Sequence, residues 1–341
     1  MNKSTTVGAV MCGALLTALT ASAREPVSPE EIVKSFQEAF DVRPQQLLKN
    51  RNCICARGVF MGTSAASSLS RSAMFREVSV PVVARFSASR SNPDSWNSRE
   101  MDLEFRLANG SVQHMAMLNT PLFTTSDAVT FGAMIAAAKP DPNTGRPDLQ
   151  RLHQFLAAHP DAFAQANFVT GTDAPSSYAS SAYFSVHTFR FIDGKGRTRF
   201  VRWRFVPQDG ETTVSASEAS GSAQAAAQER FVKRLASGPV RWDMIVYLGE
   251  PSDTTDNPSI AWPEERMHIK AGTLTISRAM RESAVDCAQM NFDPLVATDG
   301  IAPADDPVLL FRSPTYALAF SEILGQALAP VPPAAITANS Q

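Results

Sequence analysis

Residues 183–206 read YFSVHTFRFIDGKGRTRFVRWRFV. Two runs rich in aromatic and β-branched residues, 183–192 and 198–206, flank the turn Asp193-Gly194-Lys195-Gly196. Such runs around a glycine-bearing turn are the local signature of an antiparallel hairpin. The same texture recurs at 53–61, 78–87, 103–107, 111–117, 240–248 and 267–276, with Ala108-Asn109-Gly110 as a further turn. Many short strands at this spacing predict an antiparallel barrel or sandwich. Helical patterns lie between them at 126–138, 149–159 and 218–235. Near the N-terminus, Pro29-Glu30-Glu31 opens an amphipathic helix carrying Ile32, Phe36 and Phe40, with Ser28 as its N-cap. The reading is one α+β domain, an antiparallel β-barrel with surrounding helices. Residues 24–50 form a helical arm, and residues 326–341 a tail rich in Pro and Ala.

The 341 residues are 44% hydrophobic and 19% charged, a globular composition that excludes a disordered chain. Lys and Arg number 31 against 33 acidic residues, a net charge of -2. That balance gives no basic footprint for nucleic acid. Asn2-Lys3, the apolar run 7–19 and Ala21-Ser22-Ala23 form a tripartite secretory signal. Its apolar part is shorter than the roughly 18 residues of a membrane span. The expectation is a periplasmic protein, cleaved after residue 23, without stable membrane insertion. Of four cysteines, Cys12 leaves with the signal, so an odd number remains. No phosphate loop, paired zinc-ligand motif or serine-hydrolase elbow is present, and Cys53-Ile54-Cys55 alone is a weak metal signal.

The sharpest motif is Asp306-Pro307-Val308-Leu309-Leu310-Phe311-Arg312-Ser313-Pro314-Thr315-Tyr316. At a helical spacing of four, Arg312 and Tyr316 share one face. There the Arg312 guanidinium can donate to the phenol oxygen of Tyr316. Ser185-Val186-His187-Thr188-Phe189 and Val83-Ala84-Arg85-Phe86-Ser87 add two strand motifs, and Asn119-Thr120-Pro121-Leu122-Phe123 a third segment, followed by Phe131. Together these resemble the haem catalase superfamily, in particular its small exported catalase-related peroxidases, over residues 52–320.

The resemblance implies a catalase-like haem domain over residues 51–325, binding haem b (iron protoporphyrin IX). Tyr316 would be the axial iron ligand, with Arg312, His187 and Asp306 as one proximal hydrogen-bonded chain. Arg85 would reach a haem propionate, bidentately as guanidinium suits carboxylate. Ser87 and Asn119 would lie on the distal, peroxide-facing side, with Phe123 and Phe131 as distal aromatics. The implied activity is reduction of organic peroxides, and of hydrogen peroxide, with a small electron donor. A monomer or dimer without bound NADPH is expected.

The distal half departs from the family pattern. Cys55 stands where catalases carry the distal His that shuttles the peroxide proton, and Leu118 where they carry a distal amide. Arg99-Glu100-Met101-Asp102-Leu103-Glu104-Phe105 brings acids to the expected haem edge. Three readings of Cys55 stand open: a small residue in a pocket that only binds haem, a second iron ligand, or a redox-active thiol that pairs transiently. A non-catalytic haem-binding protein, sensor or carrier, is therefore the alternative to a peroxidase. Hydroperoxide isomerisation is a third reading.

Overall fold

Alternation of apolar and polar residues sets the strands, because successive side chains of a strand point to opposite faces. The computed structural model describes residues 27–327, apart from 41–52, 77, 89–97, 142, 147, 216–222, 281–286 and 288–289. Residues 1–26, which include the expected signal, and the tail beyond Ala327 lie outside the described residues, as do the side chains of Phe36 and Phe40. The barrel strands are β1 (Cys53–Gly62), β2 (Ser79–Ala88), β3 (Arg99–Arg106), β4 (Val112–Leu118), β5 (Tyr183–Phe184), β6 (Thr198–Pro207), β7 (Val240–Leu248) and β8 (His268–Ala279). Each pairs antiparallel with the next in chain order, and β8 pairs with β1 to close the ring. Closure leaves no edge in the ring to pair with another chain. Strands Phe189–Ile192 and Ile301–Pro303 extend the sheet beside β6.

The barrel is filled by the inward residues of each strand. Ala56, Phe60, Phe86, Leu103, Phe105, Phe205, Trp242 and Leu274 are all buried in one apolar cluster. The opposite parity faces outward: Cys53 and Cys55 on β1, Arg85 and Ser87 on β2, Glu100, Asp102 and Glu104 on β3. At the register shift between Arg57 and Gly58, β8 crosses β1 very closely. A Cβ at Gly58 would lie 2.0 Å from the Thr275 carbonyl oxygen.

The stretch 183–192, expected to be one strand, divides. Phe184 pairs with Arg204 and Phe189 with Val201, so residues 185–188 stand opposite only Trp203 and Arg202. Extra residues on one strand bulge out of the ladder and re-aim their side chains. The Ser185 hydroxyl donates to the His187 carbonyl at 2.7 Å and holds the excursion. This is how His187 leaves the sheet for the helix that follows the barrel.

The expected helices form, with shifted ends: α1 (Pro29–Phe40), α2 (Ala128–Ala137), α3 (Leu149–Ala158), α5 (Ala223–Ala236) and α6 (Pro307–Ala327). Ser28 caps α1 as expected: its hydroxyl accepts from Glu31 N, and the Glu31 carboxylate accepts from Ser28 N, a reciprocal capping box. Helix α4 (Pro160–Gly171) was not foreseen; its apolar residues follow no stripe, and its start signal is Pro160 in the first turn. Ile32 and Ala39 of α1 pack with Ile135 and Phe131 of α2 and Phe311 of α6, so the arm clamps α6 against α2. Helix α6 continues through Gln326 and Ala327, two residues past the expected start of the tail. No described helix is long and apolar enough to cross a membrane.

Gly58→Ala should destabilise the protein by about 2 kcal/mol or more, since the added methyl meets backbone on both neighbouring residues of β8. Urea unfolding measures this, and a wild-type midpoint would contradict the packing described.

Candidate functional site

Asp306 stands immediately before helix α6. One carboxylate oxygen, Oδ1, accepts from the amides of Val308 at 2.9 Å and Leu309 at 3.1 Å, the hydrogen bonds of an N-cap. The other, Oδ2, lies 2.6 Å from Nδ1 of His187. His187 Nε2 faces Arg312 Nη1 at 2.9 Å, and Arg312 Nη2 donates to the Tyr316 hydroxyl oxygen at 2.7 Å. A guanidinium has only donors, so Nε2 is the acceptor and Nδ1–H is the donor to Asp306. Burial lowers the pKa of His187 against the pull of Asp306, with Arg312 and Arg202 adding to the decrease. Burial also opposes charge on Arg312, yet Tyr316, Asp102 and Glu100 raise its pKa above the usual value. The result is a neutral imidazole bracing a fixed cation that donates to one phenol oxygen. All four expected proximal residues meet in this chain.

Sequence reading missed Arg202 of β6. Its Nε donates to Thr188 Oγ1 at 2.9 Å and its Nη1 to the Ile260 carbonyl at 2.7 Å. Burial pulls its pKa down to about 10, opposed by Asp306 and Asp253. The partners lie on a loop more than fifty positions away, so no local pattern announces the role. Arg202 fixes the bulge that carries His187.

Phe123 and Phe131 pack with ring centroids 5.6 Å apart, and Phe123 lies 5.7 Å from the His187 ring. Phe123 therefore borders the His187 imidazole, with Phe131 behind it, and its amide donates to the Pro258 carbonyl, near the loop that anchors Arg202.

The outer barrel face carries two cross-strand rows. One runs Cys53, Ser87, Glu100, Leu118, and the next runs Cys55, Arg85, Asp102, Ala116. Cys55 and Cys287 form a disulfide across 232 positions, and Cys53 keeps its thiol. A bonded sulfur is neither thiolate ligand nor proton carrier, which corrects the reading of Cys55 as a second iron ligand; its bond to Cys287 is the kind of pairing that the redox-active reading expects. Arg85 Nε and Nη2 both donate to Asp102 Oδ2, at 2.9 and 2.6 Å, with the two side chains 5% and 6% exposed. Phe292 covers the guanidinium at 4.4 Å. The cation expected to hold a propionate is thus neutralised by the chain's own carboxylate. The Ser87 hydroxyl donates to Glu100 at 3.3 Å, and the Asn119 side chain accepts from Arg99 N at 2.8 Å, joining the ends of β3 and β4.

Residues 290–296 link this face to α6. Ser313 of α6 donates to Asp293, whose carbonyl meets His114 Nδ1 at 3.2 Å, while His114 Nε2 meets Glu104 at 3.1 Å. The tyrosine helix and the acidic face of β3 therefore bound one region from two sides.

The family model that matches is Catalase, over residues 48–338. The chain belongs to the catalase family. It is 40% identical over 300 residues to a catalase-related peroxidase of Synechococcus elongatus, covering 87% of this chain and 88% of that one. A catalase-related peroxidase of Mycolicibacterium paratuberculosis is 31% identical over 295 residues, covering 85% and 93%. Among solved structures, a fungal catalase matches with a TM-score of 0.73 at 21% identity, covering 81% of this chain and 58% of that one. Catalase A from Saccharomyces cerevisiae matches with a TM-score of 0.73 at 20% identity, covering 80% and 60%. The likeness to these longer catalases is one of fold.

The family implies a haem. Tyr316, with its guanidinium donor and buried support, has the donor chemistry of an anionic oxygen ligand to ferric iron. The described residues contain no cluster of three or more His, Cys, Asp or Glu that could hold a metal ion; a haem needs only the one phenol oxygen.

Two outcomes follow from these environments. The unfolded chain protonates His187 near pH 6.5, before the folded chain does. Stability should therefore fall as pH drops below about 6.5, with no contribution from this residue above that pH. His187→Gln should lose less stability than wild type between pH 7.5 and 5.5 in urea melts; an equal loss would contradict the lowered pKa. Asp102→Asn leaves Arg85 buried without its carboxylate, at a cost of roughly 3–5 kcal/mol in the haem-free protein. The loss should be smaller in the haem-loaded protein if a propionate then pairs with Arg85. Equal losses in both forms would show that Arg85 does not reach the haem.

Proposed function

We propose that this chain is an exported, haem-dependent peroxidase that reduces organic hydroperoxides, and hydrogen peroxide, with a small electron donor. The observation that carries the reading is the chain from Asp306 through His187 and Arg312 to Tyr316, which orients one phenol oxygen and surrounds it with fixed polar support. Haem b, when bound, supplies the electrons that break the O–O bond and recovers them from the donor. The residues of the chain then have separable tasks. Tyr316 Oη would ligate the iron, Arg312 donates a hydrogen bond to that oxygen, and His187 keeps Arg312 in place. Phe123 and Phe131 form an apolar wall beside His187. The Cys55–Cys287 disulfide agrees with an oxidising compartment such as the periplasm, and so supports the reading of residues 1–23 as a cleaved signal.

A second reading, a haem sensor or carrier without turnover, is favoured by two observations. Cys55 is locked in a disulfide, and Arg85 is held by Asp102. Steady-state turnover of cumene hydroperoxide with a phenolic donor separates the two readings.

Tyr316→Phe should lower haem retention at least tenfold and move the ferric absorption bands of the reconstituted mature protein. Peroxidase turnover should fall with it. A variant that keeps the wild-type spectrum would remove Tyr316 as the ligand.

A further inference from the structure

Heterolytic peroxide cleavage needs a group that takes a proton from one oxygen and returns it to the other, a role typically worth 10²–10⁴-fold in rate. Cys55 does not fill it, since its sulfur is bonded to Cys287. The outer face of the barrel beside Cys55 is nevertheless rich in proton-carrying groups. Glu100, Asp102 and Glu104 alternate along β3 and share its outward parity, because Met101, Leu103 and Phe105 are buried inside the barrel.

Position separates the three carboxylates. Asp102 lies in the row of Arg85 and accepts two hydrogen bonds from it under the Phe292 ring. It is a counter-ion. Glu104 accepts from Arg106 at 2.6 Å and meets His114, at the end of the sheet tied to Asp293. Glu100 lies one row further, directly between Ser87 and Leu118. It is half-buried, and its Oε2 accepts from the Ser87 hydroxyl at 3.3 Å. A hydroxyl on the neighbouring strand orients the carboxylate. Glu100 thus shares the outward face of β3 with Asp102, one row along from Cys55 and Arg85 and in the row of Ser87.

Building on the peroxidase reading, we propose that Glu100 is the acid–base residue of the site, with Ser87 as its positioning residue. Overall, ROOH takes two electrons and two protons from the donor and yields ROH and water. Glu100 moves one further proton within the substrate. Its carboxylate accepts the proton of the terminal peroxide oxygen and delivers it to the alkoxy oxygen, which leaves as ROH. The carboxylate ends in the state in which it began.

The test uses haem-loaded mature protein and two readouts, peroxidase turnover and the rate of cyanide binding to ferric haem. Hydrogen cyanide must give up its proton to bind as the anion, so cyanide reports the base without any turnover. Glu100→Gln should slow both by about 100-fold or more, with haem content and Soret position unchanged. Glu100→Asp should restore both to within about tenfold of wild type. Wild-type rates in the Gln variant would overturn the proposal, as would an Asp variant equally slow at full haem content. If the Gln variant does not hold haem, Ser87→Ala carries the test: cyanide binding should slow severalfold, and an unchanged rate overturns the proposal. Wild-type protein that takes up no haem would defeat the peroxidase reading itself, a distinguishable result.

Discussion

The hydrogen bond between Asp306 and His187 joins the two halves of the molecule. Asp306 caps the helix that carries Tyr316, while His187 sits on an excursion from the barrel. One carboxylate thus sets where α6 starts and where its first two turns point. The phenol oxygen four residues beyond Arg312 is placed by that anchor. Removing water from the pair makes the geometry rigid, since a buried polar chain is stable only when each member keeps its partner. Arg202, Thr188 and the arm α1 all act on the same joint, from the sheet side and the helix side respectively.

The two faces of the site follow opposite designs. On the tyrosine side a continuous chain of hydrogen bonds runs from Asp306 to the phenol oxygen, and the protonation of His187 is fixed by burial and by a neighbour that only donates. On the barrel side, covalent and ionic locks replace what the catalase resemblance leads one to expect: a disulfide at Cys55 and an internal ion pair at Arg85. The first side suits holding an iron ligand. The second moves the proton chemistry onto β3, two strands along from Cys55.

Much of this was legible in the sequence because it rests on local periodicity. The barrel strands follow from alternation, and α1 from the Ser28 and Glu31 cap. Arg312 and Tyr316, like their link to His187 and Asp306, came through the family resemblance, and helical spacing showed only that the first two share a face. The features that were not legible depend on residues far apart in sequence. The division of 183–192 comes from its register against β6, the role of Arg202 from a loop at 257–260, and the Cys55 bond from Cys287. Helix α4 was missed because its apolar residues make no stripe. The acids of β3 were visible, but the engagement of Asp102 by Arg85 needed the register of β2 on β3.

The most direct test of the account is resonance Raman spectroscopy of the ferric, haem-loaded mature protein, with tyrosine carrying a heavy isotope in its ring. Ligation by Tyr316 predicts enhanced tyrosinate modes that shift with the label and vanish in Tyr316→Phe. A spectrum without label-sensitive modes, or one unchanged by that substitution, would contradict the central claim that the Asp306, His187 and Arg312 chain exists to present a tyrosine ligand to iron.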